Sequence, residues 1–334
     1  MKVLVTGGAG YLGSVICSAF IDEGVTPVIL DSLITGRADF VRDKIFYRGD
    51  IGDRELLNKI IYEHPGMEFI VHCAERAAVE QSVASPYDFY VANVVKCMEM
   101  FKTIYDLGIG KVIYSSSGSL YEDVPGFMVT EASPVNPRSP YAKTKHIMEM
   151  ILRDFCNAYG MKCITLRYFN PIGADPGLRT GMQPKNPYSL VKNLLSVING
   201  DEKSFAIHGV DWNTRDGTCI RDYVHVWDVA RAHLLALLSF EEAFEKADDN
   251  CKYFLPINIG SGVGVTVKEF IFAFENVTRE IINVTAGAKR PGDVAGAYAS
   301  IKRAKALIGW APELRLEDGI MDAVRWEEKL NLEG

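Results

Sequence analysis

"VTGGAGYLGS", Val5 to Ser14, begins inside the apolar run Lys2–Val5 and sets glycines at positions 7, 8, 10 and 13. Without a Cβ, Gly7 and Gly10 let the chain turn tightly and let its backbone approach a pyrophosphate. Gly13 lets a following helix pack close to the strand. The N–H groups at that helix start have no partner within the helix and face an anion. A glycine-rich strand–helix turn is weak evidence by itself, so the surrounding sequence has to supply the context.

The second apolar run, Pro27–Leu30, ends at Asp31. That is about where a carboxylate accepts hydrogen bonds from the ribose of an adenosine, and its charge repels a 2′-phosphate. The pair of features predicts a dinucleotide site for NAD rather than NADP. "RGDI", Arg48–Ile51, follows the third run, Ile45–Tyr47. Asp50 has two readings of equal weight: an acceptor for the adenine amine, or the N-cap of the next helix.

Further strand-length runs at Phe69–His72, Val112–Ser115, Cys163–Leu166 and Pro256–Ile259 alternate with helix-length segments such as Leu12–Glu23, Asp53–Glu63 and Tyr87–Leu107. This alternation predicts an α/β fold, a doubly wound parallel sheet with helices on both faces. Near-continuous apolar strands fit a sheet covered on both sides. After Leu166 the rhythm breaks, and Asn170–Pro187 is rich in Gly and Pro. The expected division is a dinucleotide-binding domain over 1–168, rejoined near 255–260, and a smaller, interleaved α+β substrate domain over 169–334. The acidic stretch Glu241–Asp249 reads as a solvated helix end and loop.

Of 334 residues, 48% are hydrophobic and 24% charged, a balance that buries a core. The net charge of −7 supplies no basic face of the kind nucleic acid demands, and none is expected as a partner. Seven cysteines, an odd number with no Cys-x-x-Cys, predict reduced thiols and no metal site. The glycine motif starts almost at once, with no leader ahead of it, and no apolar run reaches membrane length. A soluble cytoplasmic protein is the expectation.

"SPYAKTK", Ser139–Lys145, places Tyr141 and Lys145 four apart, on one face of a helix. A phenol normally titrates near pH ~10. A neighbouring ammonium, helped by a positively charged nicotinamide, is expected to lower it enough for general-base work. Ser117, in "SSSGSLYE" (Ser115–Glu122) at a strand end, is the third candidate, a hydroxyl that orients the substrate or relays its proton. A Tyr-x-x-x-Lys pair alone is most simply a surface helix. Its company here reverses that reading.

Together with "RYFNPIGADP", "DGTCIRDYVHVWDVA" and "RPGD", these motifs resemble the extended short-chain dehydrogenase/reductases, in particular their nucleotide-sugar epimerases, almost end to end. The resemblance implies tightly held NAD, a nucleotide-sugar pocket between two domains, and a homodimer through helices near Tyr87–Leu107 and Tyr141–Tyr159. By position it implies Ser117, Tyr141 and Lys145 as the catalytic group. Gly7, Gly10, Tyr11, Leu12, Gly13, Asp31, Ser32, Asp50, Ile51, Ala74, Asn93 and Tyr168, with Tyr141 and Lys145, match cofactor-binding places. Asn170, Ser189, Arg221, Arg290 and Asp293, with Ser117 and Tyr141, match substrate-binding places. A planar guanidinium suits a diphosphate; for Arg221 an ion pair with Asp222 or Asp228 is the alternative.

Dehydratases of this scaffold carry acids where this chain has Gly118 and Ser119, and UDP-glucuronate decarboxylases tend to carry a glutamate there. Their absence leaves oxidation at C4, turnover of the ketone and reduction from the other face. UDP-glucose and UDP-galactose are the expected pair. Another nucleotide sugar, such as UDP-glucuronate or a dTDP-hexose, and a non-catalytic NAD-binding scaffold are the alternatives. Several positions depart from the epimerase pattern. Glu75 replaces a glycine beside the cofactor and needs a partner, Arg76 or a backbone N–H. Tyr188-Ser189-Leu190 replaces Asn-Asn-Leu, which weakens the assignment of UDP. Glu122 replaces another glycine. His208 falls near the base, or is an ordinary loop histidine. Ala297 replaces a bulkier residue and leaves room for an N-acetyl group, unless a shift of register makes Tyr298 the relevant side chain.

Overall fold

The computed structural model describes residues 1–182, 190–247, 252–290 and 294–333. Ser189 and Asp293, with Tyr188, lie outside the described residues. The chain runs β1 (Lys2–Thr6), α1 (Tyr11–Asp22), β2 (Thr26–Asp31), β3 (Ile45–Arg48), α2 (Arg54–Glu63), β4 (Phe69–His72), α3 (Val79–Ala84), α4 (Pro86–Tyr90), α5 (Lys96–Asp106) and β5 (Lys111–Ser117). There follow β6 (Met128–Val129), α6 (Pro140–Tyr159), β7 (Lys162–Tyr168), β8 (Asn170–Ile172), α7 (Leu190–Ile198), β9 (Phe205–His208), β10 (Ile220–Arg221) and β11 (Tyr223–His225). The remainder is α8 (Val226–Leu238), α9 (Phe240–Lys246), β12 (Phe254–Ile259), β13 (Val265–Thr266), α10 (Val267–Thr278), β14 (Val284–Gly287), β15 (Gly296–Ala299), α11 (Lys302–Ile308) and α12 (Leu316–Glu333).

Seven parallel strands form the main sheet in the order β12-β7-β5-β4-β1-β2-β3. Successive residues of a strand face opposite sides, and each side has its own core. Val3, Val5, Ile29, Val71 and Ile113 pack with residues of α1, α8 and α11. Leu4, Val28, Ile70, Val112 and Tyr114 pack with α2, α5 and α6. Burial on both faces is why the strands read as unbroken apolar runs. The edge strand β3 is less covered, half-buried at Ile45–Tyr47 and exposed at Arg48.

Beyond the sheet, smaller ladders pair β10 with β13 and β15, β15 with β6, β8 with β11, and β9 with β14. A third core, with Leu194, Ile207, Phe270, Phe274 and Ile320, lies among α7, α10 and α12. The segment expected as one helix over Tyr87–Leu107 is α4 and α5 joined by a π-helical turn, Val91–Val95. Such a turn often marks a functional position, and this one carries Asn93. Six cysteines are free thiols; Cys251 lies outside the described residues. Among the described residues no helix is long and apolar enough to cross a membrane.

Candidate active site

The strand order reverses between β1 and β4, and a crevice opens beyond their C-terminal ends. The glycine loop crosses it. Gly7 adopts φ +74°, and a Cβ there would meet the Ala74 backbone nitrogen at 2.6 Å; a Cβ on Gly13 would meet the Gly7 oxygen at 2.2 Å. Only glycine gives that left-handed turn and that approach. Helix α1 starts at Gly10 with no capping side chain and no acid in its first turn, so its leading N–H groups suit a pyrophosphate. Asp31 ties the loop to β2: Oδ2 accepts from the Ala9 N–H at 3.0 Å and Oδ1 from the Leu33 N–H at 2.8 Å. Each oxygen keeps capacity for a ribose hydroxyl. These residues fit a dinucleotide.

Asp50 does not cap α2. Asp53 does, accepting from the Leu56 N–H at 3.0 Å. Asp50 accepts from the Gly52 N–H at 2.8 Å and from Lys96 Nζ at 2.5 Å. Burial pushes its carboxyl up, but the Lys96 ammonium and the Gly52 N–H outweigh that and leave it below its ordinary value. Asn93 clamps the loop after β4. Its Oδ1 accepts from the Arg76 N–H at 2.9 Å, and its Nδ2 donates to the Arg76 carbonyl at 2.9 Å and to Thr144 Oγ1 at 3.3 Å. Asn93 thus aligns Ala74 and Glu75 with α6. Tyr11 donates to the Gly173 carbonyl at 2.7 Å, which joins the glycine loop to the second half of the chain.

Ser139 caps α6, accepting from the Ala142 N–H at 3.1 Å, with Pro140 at the first helical position. Tyr141 and Lys145 therefore share the face turned to β5. Lys145 donates to the Ser115 carbonyl at 2.5 Å, and Ser117 lies close enough to Tyr141 to draw its phenol down. The three expected catalytic residues come together, all buried. Tyr168 is buried too, on β7, where it pairs in register with Ser117.

Glu75 enters this cluster. Its carboxylate pairs with Lys145 and accepts from the Tyr141 hydroxyl at 3.3 Å. Arg76, its expected partner, instead faces Asp88 at 3.9 Å. The expected lowering of Tyr141 by Lys145 is not found. Burial and then the Glu75 charge hold the phenol well above its ordinary value, with Ser117 opposing them.

A cavity of about 320 Å³ in the second half of the chain brings Asn170, His208, Arg221 and Arg290 together. Arg221 makes no ion pair with Asp222 or Asp228: it donates to the carbonyls of Ile220 at 2.8 Å and Val294 at 3.3 Å. Asp222 is occupied by the N–H groups of Ser261 and Ala299, and Asp228 by those of Glu313 and Leu314. Arg290 meets Glu80 at 2.6 Å. Tyr223 and Lys192 also line the cavity and were not singled out from sequence. For Tyr223 the signal was available, since the alternation that turns Cys219 and Arg221 to one side carries Tyr223 with them. His208 lines the cavity, its Nδ1 at 3.1 Å from the Ala288 carbonyl. Ala297 pairs in parallel register with Arg221 and shares its face. Tyr298 takes the other face, over Gly264 and Ile220. Glu122 is held by Asn136 at 3.1 Å and faces Arg138 at 3.6 Å.

A doubly wound sheet whose glycine loop borders a Ser–Tyr–Lys cluster defines an NAD-dependent enzyme of the short-chain dehydrogenase/reductase class. A profile of the NAD dependent epimerase/dehydratase family matches residues 3–251, and the chain belongs to that family. It is 36% identical over 331 residues to a UDP-glucose 4-epimerase of Azospirillum brasilense, covering 98% of this chain and 92% of that one. The structure of a UDP-glucose 4-epimerase from Stenotrophomonas maltophila, with bound NAD and formylated UDP-arabinopyranose, superposes with a TM-score of 0.92 at 32% identity over the whole of both chains. A UDP-Glc/GlcNAc 4-epimerase from Campylobacter jejuni superposes with a TM-score of 0.81 at 31% identity, covering 98% of this chain and 99% of that one.

Proposed function

We propose that the protein is a nucleotide-sugar 4-epimerase interconverting UDP-glucose and UDP-galactose, which would place it in galactose metabolism in the cytoplasm. The observation that carries this reading is the meeting of Ser117, Tyr141 and Lys145 beside the glycine loop, with no acid next to them on the serine stretch. A Cβ on Gly118 would lie 2.7 Å from the Phe169 ring, so that position has no room for the acid a dehydratase uses. Ser119 hydrogen-bonds Ser117 at 2.9 Å.

Bound NAD supplies the acceptor and later the donor of the hydride. The protein's part is orientation and proton handling. Tyr141 Oη, as the phenolate, takes the proton of the C4 hydroxyl, with Ser117 in the hydrogen-bond path. The 4-keto sugar turns over while Asn170, Arg221 and Arg290 hold its nucleotide and diphosphate, and Tyr141 returns the proton. Ser189 and Asp293 belong to the same proposed set. The cofactor-binding part is proposed to span 1–168, with β12 added beside β7, and the substrate-binding part 169–334. Ala297, on the Arg221 face, supports acceptance of the N-acetylhexosamine pair as well, and the Campylobacter jejuni relative acts on both kinds of sugar by its name.

Proton NMR of the purified protein with UDP-galactose and no added NAD tests the reading. UDP-glucose signals should grow to a steady ratio, and UDP-N-acetylglucosamine should be turned over too. No change with UDP-galactose, even after NAD is supplied, defeats the epimerase assignment; turnover of the first pair alone removes the N-acetyl extension. A homodimer belongs to the same proposal. Val95, at the end of the π-helical turn before α5, and Met150, on α6, are each 47% exposed, and α5 and α6 run side by side with Tyr105 stacked on Tyr159 at 5.3 Å. Sedimentation velocity at micromolar protein should give twice the chain mass; a single-chain mass removes the dimer.

A further inference from the structure

Glu75 has no part in the cycle above, yet its carboxylate touches both Tyr141 and the Lys145 beside it. It stands on the turn after β4, where the strand order reverses, next to the Ala74 backbone that Gly7 packs against. The Glu75 side chain is 13% exposed and that of Lys145 3%. One carboxylate oxygen pairs with the Lys145 ammonium and the other accepts from Tyr141 Oη at 3.3 Å. The other titratable neighbours are Cys73 on its own turn, Cys97 on α5, Tyr114 on β5 and Tyr168 on β7, with His72 on β4 near Lys145. Burial favours the neutral form of every one of them, so Lys145 is the cation that answers the carboxylate.

We infer that Glu75 is a positioning residue of the acid–base centre: its carboxylate takes Lys145 for itself and holds the Tyr141 proton in a hydrogen bond, so that the phenol is kept neutral at rest and passes that proton to Glu75 when it acts as a base. The inference rests on the acid–base role given to Tyr141 above. The step balances within the cluster. The Oη–H bond of Tyr141 breaks, an O–H bond forms on Glu75, and the phenolate is left beside the Lys145 ammonium with the total charge unchanged. Burial pushes the Glu75 carboxyl up, against the pull of Lys145 and Tyr141, which suits it to receive a proton. Two groups this close titrate as a pair.

The test is a pH titration of the protein as purified, labelled with 13C at tyrosine Cζ, whose shift reports phenol or phenolate directly. Tyr141 is picked out from the 15 tyrosines by the signal missing in Tyr141→Phe. In the unmodified protein Tyr141 should be a neutral phenol at neutral pH. Removing a nearby negative charge favours the phenolate, so in Glu75→Gln its midpoint should fall by about one pH unit or more. The acid limb of the epimerase pH–rate profile should move down with it. Glu75→Ala should act in the same direction and serves if the glutamine variant does not fold. A midpoint unmoved or raised in whichever variant folds, or a Tyr141 already ionised at neutral pH in the unmodified protein, overturns the inference. The NMR titration needs no sugar, so a failure of the UDP-galactose assay and a failure of the Glu75 inference are told apart.

Discussion

Tyr141→Phe should lower kcat for UDP-galactose by about 10²- to 10⁴-fold, the range that a positioned proton-transfer group contributes. The substitution removes one oxygen and keeps the ring, which is buried. Ser117 and Lys145 stay in place, but neither replaces the lost group. The Ser117 hydroxyl is hydrogen-bonded to Ser119, and the Lys145 ammonium is paired with Glu75 and the Ser115 carbonyl. The arginines proposed to hold the diphosphate lie in the cavity beyond, so KM should change by no more than a few fold. A fall in kcat with KM kept is the signature of an interaction made in the transition state. One hydrogen bond, from Tyr141 Oη to Glu75, is lost, worth about 1 kcal/mol, so thermal unfolding should move only slightly. Steady-state kinetics with a coupled assay decide the matter: a kcat within tenfold of the parent would remove Tyr141 from the proton path.

The sheet was legible because its strands are buried on both faces and so read as unbroken apolar runs. Their polar C-terminal ends were not legible. Strand β5 runs on through Ser116 and Ser117, and β7 through Arg167 and Tyr168, since these pair with one another in register; hydropathy stops short of residues whose burial is met by hydrogen bonds. The meeting of Ser117, Tyr141 and Lys145 could be expected because Tyr141 and Lys145 are spaced locally on α6 and Ser117 closes a strand. Glu75 shows the opposite case. A buried carboxylate needs a partner, which the sequence says, but nearness in the chain suggested Arg76, whereas the fold brings Lys145 across from α6. Asp50 and Asp53 differ in the same way. Both acids precede a helix, and only the backbone decides that Asp53 caps it while Asp50 turns to Lys96.

Arg167→Met should destabilise the protein by about 3–5 kcal/mol, because it leaves a buried charge without its counter-ion. Glu149 on α6 and Arg167 on β7 have side chains 3% and 4% exposed. Arg167 Nε donates to Glu149 Oε1 at 2.9 Å and Nη2 to Oε2 at 2.5 Å, a two-pronged pair. Ser116 and Thr165 add hydroxyl donors at 2.6 and 3.2 Å. The third nitrogen, Nη1, donates to the Tyr121 hydroxyl at 2.8 Å, which donates in turn to Asn258 on β12 at 2.6 Å. Methionine matches the stem of arginine but answers none of these acceptors. The loss should be visible as a lower urea midpoint with the slope unchanged. Glu149→Leu added to Arg167→Met should recover much of it, since an apolar pair of similar volume costs little where half an ion pair costs a great deal. Activity should fall as well. Glu149 lies one turn beyond Lys145 on α6 and bonds the residue next to Ser117 on β5, so the network ties together the two elements that carry the proposed catalytic residues. In the double variant stability should return further than kcat does, because an apolar pair restores packing without the hydrogen bonds that fix Ser116. Equal recovery of both would mean that the network stabilises the fold without aligning the site.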